Sequence, residues 1–503
     1  MKNKLFNKSN MFLIILVMVI GFVINLPLFT KNILTADVLL NTTYYNAYSW
    51  EISLGRFGLF ILGIFKSYLV IPHLEMFLSL AIVGAIAVLL IELFDIKSKY
   101  LKVLIGIILV ISPNVFTTLL FNYCSLAYTL SFFLSVSSIY ILFKSKDGIF
   151  KYLISSILLI FSLSIYQAYI QVVATLFLLM VLKELLEKKI DIRNLLKYIL
   201  TMIISLVCYF IVMKVSLNLF NIDMSSYSGA DKFGIANILN IPKEIIRAYV
   251  TFYNYYFNDE ILNNTPLFNN VFNLLILLFF IVMLVYRSIK NKLKLKEYLL
   301  LFLIVLLLPV SINLVLLIIP NTKMQLLMAS GYVLLFIFSI YLVKDLKHMR
   351  LILVILLMLL SRNFIIEGCS TIKTLENTYN KTYKIASNIL DDINDYDYRS
   401  KVMIVGNLDS NDYYNYTNNG PLNNLKKLNY GFVSNKSIFW DEYTNIKNGW
   451  IRFYGEYFGI DLNFVSLEDY NKILDSAEFK EMSVYPSKDS IRVIDNVIVV
   501  KIN

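Results

Sequence analysis

Residues 30–58, TKNILTADVLLNTTYYNAYSWEISLGRFG, gather side chains capable of chemistry in one polar stretch between two long apolar segments. Asp37 and Glu51 are carboxylates that can take a proton. Arg56, which follows Gly55, carries a planar guanidinium able to hold a phosphate by two parallel hydrogen bonds. Tyr44, Tyr45, Tyr48 and Trp50 supply rings that stack on sugar faces or seat at the headgroup level of a bilayer. Group transfer at a membrane surface needs this mixture. The plainer reading is an interfacial loop whose acids face water and whose rings belong to the aromatic belt, so the rest of the chain must decide.

The elements that position this stretch are membrane helices. The 503-residue chain is 58% hydrophobic, 15% aromatic and 16% charged, with mean hydropathy +0.66. A soluble domain is about half apolar and a quarter charged, so the composition is that of an integral membrane protein. The net charge of +11 is uneven: from Glu367 onward there are 15 Lys and Arg against 19 Asp and Glu, and before it 31 against 16. The basic excess therefore belongs to the membrane part and reads as a topology signal, not as a nucleic-acid footprint. Cys124, Cys208 and Cys369 form no CxxC pair, and His73 and His348 are the only histidines, so no histidine-rich metal site is expected.

A basic start, MKNKLFNKSN, precedes an apolar run from Met11 to Phe29 that reads as an uncleaved first span. Further spans of about 20 residues are expected near 74–94, 101–120, 122–143, 196–219, 271–286, 298–319, 324–343 and 350–366. Residues 57–71 are short and interrupted by Lys66, which fits an interfacial helix ending at Pro72. Basic clusters flank 152–182 on both sides, so this piece is read as two short helices meeting at Ser164–Gln167. The count is then about eleven spans. The segments on one side hold 22 Lys and Arg and those on the other only seven, which puts the N-terminus in the cytoplasm and the 30–73 loop outside. The expected division is a transmembrane domain over 1–366 and a small extracytoplasmic α/β domain over 367–503. In that domain 371–393 has helical periodicity, KVMIVG (401–406) reads as a buried strand, and SIRVIDNVIVVKI (490–502) reads as a hairpin turned at Asp495-Asn496.

In order, the chain carries a first span, an outer loop with an acid, SWEISLGRFG, SPNVFTTLLFNYCSLAYTLSFFLS, SLSIYQAYIQ, and a C-terminal region ending YPSKDSIRVIDNVIVVKI. This ordered set resembles the GtrII family of membrane glucosyltransferases, within the wider GT-C class, over almost the whole chain. The resemblance implies a polytopic α-helical GT-C-like fold. It also implies transfer of a hexose, usually glucose, from a polyprenyl-phosphate carrier to an envelope polysaccharide outside the cell membrane. In GT-C enzymes an acid of the first outer loop is the catalytic base, and here that acid is Asp37, with Glu51 as its rival. Many relatives carry two adjacent acids at this point, whereas Asp37 is followed by Val38.

The leaving lipid phosphate develops negative charge and calls for a cation or a divalent metal ion. Arg56, Lys323 in the turn ProAsnThrLysMet, and Arg362 near the end of the last span are the candidate bases, each with a snorkelling interfacial role as the alternative. Tyr166 and Gln167 could line the site or merely complete a turn, and Asn122 and Tyr123 could meet sugar. The aromatic stretch at 249–260 fits an interfacial helix better. Partners are thus a polyprenyl-phosphate sugar, an envelope polysaccharide and the bilayer, with no nucleic acid. A flippase or transporter for lipid-linked sugars is the alternative class, and it would show broken helices in related halves with polar groups at mid-membrane. A polysaccharide polymerase or ligase is the other, with residues 220–270 as its functional loop. Few charges fall inside the spans, and Asn313 is the clearest polar group there.

Overall fold

The computed structural model describes residues 7–227, 240–257, 267–319, 322, 324–394, 400–406 and 443–503. The chain forms two compact units. One is Met1–Leu26 with Tyr44–Ile366, and the other is Pro27–Thr43 with Glu367–Asn503.

The first unit is helical. In chain order it contains α1 (Lys8–Ile24), α2 (Ser49–Ser53), α3 (Phe57–Phe65), α4 (Pro72–Leu93), α5 (Lys99–Ile111), α6 (Pro113–Leu120) and α7 (Ser125–Lys144). There follow α8 (Ile149–Ile165), α9 (Ile170–Leu186), α10 (Ile192–Phe220), α11 (Ile241–Phe257), α12 (Leu267–Lys290), α13 (Leu295–Ile312), α14 (Ser330–Val343) and α15 (Lys347–Ile393), which runs on past Ile366. Among the described residues seven helices are long and apolar enough to cross a membrane, α5 and α6 together make one bent candidate, and α1, α8 and α14 are shorter apolar helices. α7 packs on α4 and α8, α1 packs on α4 and α5, and α9 packs on α7, α13 and α14.

Every residue of α14 is buried. On α10, by contrast, Leu196, Ile203, Ile211, Val215 and Leu219 are exposed. Apolar residues facing outward along a helix of that length have lipid tails as their natural solvent. The helices fit a polytopic membrane protein.

Two expected spans are interrupted and the expected break near Ser164–Gln167 is present, each for a local reason. The 101–120 segment bends by 46° between α5 and α6. Ser112 is extended there (ψ 147°), as a residue before proline prefers. The 298–319 segment stops at Ile312, one turn after Pro309 within the helix. Asn313 then donates its side-chain N–H to the Pro309 and Ala248 carbonyls (3.0 and 3.1 Å) and accepts from Tyr332 Oη (3.1 Å). Between α8 and α9 the helical path breaks at Tyr166, which is extended (φ −152°), and restarts through a short 3-10 turn, Gln167–Tyr169.

The second unit holds a three-stranded sheet in the order β1 (Lys401–Val405), β3 (Val497–Lys501), β2 (Ile491–Ile494). β1 and β3 are parallel, with Lys401 opposite Val497; β2 and β3 are antiparallel, with Ile494 opposite Val497. Their connection is the Asp495-Asn496 turn, with both residues at positive φ (50° and 60°), the conformation a two-residue hairpin requires. Met403, Val465, Ile473 and Val499 form the core beside the sheet.

α15 corrects the reading of 350–366 and 371–393 as separate helices, because Lys347–Ile393 is one helix of 47 residues. The polar residues after Ile366 do not break it. Thr371, Thr374, Thr378 and Thr382 each return their hydroxyl hydrogen bond to the carbonyl four residues earlier, at 2.8–3.1 Å. The segment Pro27–Thr43 is held within this unit by Lys31–Glu376 (2.9 Å) and by Thr42 and Thr43, which both donate to Glu456 Oε1 (2.7 Å).

Candidate active site

In the first unit the α2–α3 corner and the break between α8 and α9 come together around one guanidinium. Gly55 makes the corner possible. Its φ of +78° is left-handed, and a Cβ there would lie 2.7 Å from Met213 Sδ and 2.9 Å from Tyr209 Oη. At Gly58 a Cβ would meet the Ser164 backbone at 2.9 Å, so α3 sits directly on the end of α8. These two glycines let the chain place Arg56 against Tyr166 and Gln167.

Arg56 Nη1 pairs with Glu51 Oε2 at 3.2 Å, with side-chain exposures of 20% and 7%. Its Nε donates to Gln167 Oε1 at 3.3 Å, and its Cζ lies 5.2 Å from the Tyr166 ring centroid. Gln167 is itself fixed, donating through Nε2 to the Leu54 carbonyl and to Tyr209 Oη (3.0 Å). Tyr209 Oη donates to the Gly55 carbonyl (3.0 Å), and Tyr166 stacks on Tyr128 with centroids 4.6 Å apart. Glu51 is held from its other side by Tyr45 Oη, which donates to Oε1 at 2.5 Å. A guanidinium has five N–H donors. Two are used here, which leaves a fork able to take an oxyanion.

The charges are arranged to persist. Burial is the largest influence on the Arg56 cation and weakens it, but Glu51 together with Tyr128, Tyr166 and Tyr45 outweighs it, and the guanidinium titrates above the ordinary arginine range. Burial, and then the Glu51 carboxylate, push the Tyr45 phenol well above its ordinary value, so it remains a donor. Removing one partner of such a buried pair typically costs about 3–5 kcal/mol, because the other charge is left uncompensated.

A second ion pair belongs to the same neighbourhood. Lys66 Nζ meets Glu75 Oε1 at 2.6 Å and the Tyr123 carbonyl at 3.2 Å. The Tyr123 ring lies 4.8 Å from that of Tyr45. Sequence reasoning missed Lys66, Glu75, Tyr128 and Tyr209 as members of this group. Some signal existed: Lys66 interrupts an apolar run, and Glu75 stands in the first turn of the next long apolar helix, nine residues on.

The other candidates are placed separately. Asp37 lies in the second unit, half-buried in the first turn of the short helix Ala36–Leu40, with its carbonyl accepting from Asn41 Nδ2 (2.8 Å). Asn122 is half-buried in the turn before α7, where its carbonyl accepts from Ser125 Oγ (3.5 Å). Arg362 donates to its helix neighbour Asn363 (3.1 Å) and to no member of the Arg56 group. Lys323 lies outside the described residues. Among the described residues no three His, Cys, Asp or Glu side chains gather where they could hold a metal ion.

An apolar helical bundle with a buried carboxylate beside a half-buried guanidinium and carboxamide at one corner fits a polytopic membrane protein. The family model described as Glucosyl transferase GtrII matches residues 26–340, and the chain belongs to that glucosyltransferase family. No curated protein and no solved structure matches the chain.

Proposed function

We propose that this protein is a GT-C-type glucosyltransferase of the cell membrane, moving glucose from a polyprenyl-phosphate carrier to an envelope polysaccharide on the outer face. The observation that carries the reading is the Arg56 cluster within a chain of the GtrII family. Cleaving the bond between sugar and carrier leaves a negative lipid phosphate, and a preorganised cation lowers the barrier most when it is already in place. Arg56 is such a cation, anchored by Glu51 and Gln167 and still holding unused donors. The acceptor hydroxyl must lose a proton as it attacks the anomeric carbon. That base is assigned to Asp37 by the resemblance to GT-C enzymes, in which an acid of the first outer loop has this role.

The charge asymmetry supports a cytoplasmic N-terminus and an extracytoplasmic second unit. The test is consumption of polyprenyl-phosphate glucose by membranes carrying the protein. Glucose should pass to an envelope polysaccharide only when both are present. Carrier-linked glucose that crosses the bilayer unconsumed would instead mark a flippase.

A further inference from the structure

The Lys66–Glu75 pair closes the turn between α3 and α4, and it would need no further role if it did nothing else. Three observations take it further. The Lys66 side chain keeps 31% exposure while that of Glu75 keeps 7%, so Lys66 is the more accessible partner of the pair. An ammonium has three donors, and Glu75 and the Tyr123 carbonyl take two of them. One N–H remains for something outside the pair.

The turn itself is unusual. Ser67 and Tyr68 are consecutive non-glycine residues in the left-handed region (φ 51° and 59°), a conformation that persists only where the surroundings impose it. Gly63 makes room for it, since a Cβ there would lie 2.7 Å from the Tyr68 ring.

This turn is tied to the Arg56 cluster through one residue. Tyr45 donates its backbone N–H to the Tyr68 carbonyl (2.9 Å), its hydroxyl to Glu51 (2.5 Å), and rests its ring on Tyr123. The half-exposed ring of Tyr44 lies 5.6 Å from that of Tyr68, beside the same turn.

We propose that Lys66 donates its remaining N–H to a hydroxyl of the transferred hexose, with Glu75 as the positioning residue that aims it. A neutral sugar is held by donors and acceptors that carry no net charge between them, and an ion pair beside an aromatic face offers that. The phosphate is left to Arg56. This assignment rests on the transferase reading above and adds the donor's sugar specificity to it.

The test uses purified full-length protein and polyprenyl-phosphate glucose with its 2-, 3-, 4- and 6-deoxy forms. Wild-type turnover of the glucose donor tests the underlying reading, and its absence overturns that reading and this inference together. Given turnover, at least one deoxy donor should fall by about tenfold or more in kcat/KM, the range for a lost hydrogen bond to a charged group. Lys66→Met and Glu75→Gln should collapse that ratio towards one. Inhibition by sugar-free polyprenyl phosphate should stay at the wild-type level. Lys66→Arg keeps the charge and the ion pair, so it folds where Lys66→Met does not, and its donor ratios should still change.

A measurement on the wild-type protein removes the dependence on variants. The glucose donor should shield Lys66 from an amine-reactive reagent, read by peptide mass spectrometry, and the sugar-free carrier should not. Unchanged donor ratios in the folded variants, or equal shielding by both lipids, would overturn the assignment.

Discussion

Arg56 and Gln167 lie 111 residues apart in the chain and meet side chain to side chain, Nε to Oε1 at 3.3 Å. Gln167 is the hinge of that contact, because its amide nitrogen is held by the Leu54 carbonyl and Tyr209 on the other side. One carboxamide thus ties the α2–α3 corner to the break between α8 and α9. Gln167→Leu keeps the bulk and removes every one of these bonds. It should destabilise the protein by about 1–3 kcal/mol, the cost of leaving buried polar partners unpaired. Thermal unfolding in detergent should show a lower Tm, and an unchanged Tm would mean that the corner is held by packing alone.

Arg56→Lys separates charge from shape. An ammonium can still pair with Glu51, so protein level and Tm should stay near wild type. The planar fork is lost, and removing one preorganised donor to a developing oxyanion costs on the order of 10²–10³ in kcat. Full transferase activity in this variant would return Arg56 to a snorkelling role at the interface.

Gly55→Ala tests the corner itself. A left-handed non-glycine residue costs about 1–3 kcal/mol, and the added Cβ would also press on Met213 Sδ and Tyr209 Oη. Lower stability and a displaced Arg56 are expected together, so specific activity should fall in the protein that still folds. A fully active and fully stable alanine variant would contradict the packing described here.

Much of this corner could be read from the sequence, because its members crowd into a short polar stretch: Glu51, Gly55 and Arg56 stand within six residues. The break at Tyr166-Gln167 was legible from the basic clusters on either side. The C-terminal turn at Asp495-Asn496 was legible from its turn residues between β-branched runs. What periodicity could not give is which distant side chains close the site. Tyr209 is one of several polar residues in a long, mostly apolar helix, and nothing local marks it as the partner of the Gly55 carbonyl. Nor could composition show that α15 continues through its change to polar residues, since helical periodicity on both sides of that change suits one helix as well as two.

The proposed orientation rests on the charge asymmetry and can be checked directly. A cysteine at Ser400 should react with an impermeant maleimide on intact cells whose wall barrier has been removed. Labelling only after lysis would reverse the assignment of sides.

The choice of carboxylate tests the account most directly. Purified wild-type, Asp37→Asn and Glu51→Gln proteins should be compared for turnover of polyprenyl-phosphate glucose onto acceptor, with each rate normalised to folded protein. The Asn variant keeps the shape of Asp37 and removes its basicity, and loss of a general base costs about 10²–10⁴ in rate. Glu51→Gln should lower stability by leaving Arg56 uncompensated and weaken turnover less. The account predicts an Asp37→Asn enzyme that is folded and nearly inert. Turnover by Asp37→Asn close to wild type, beside a folded but dead Glu51→Gln, would contradict it and make Glu51 the base.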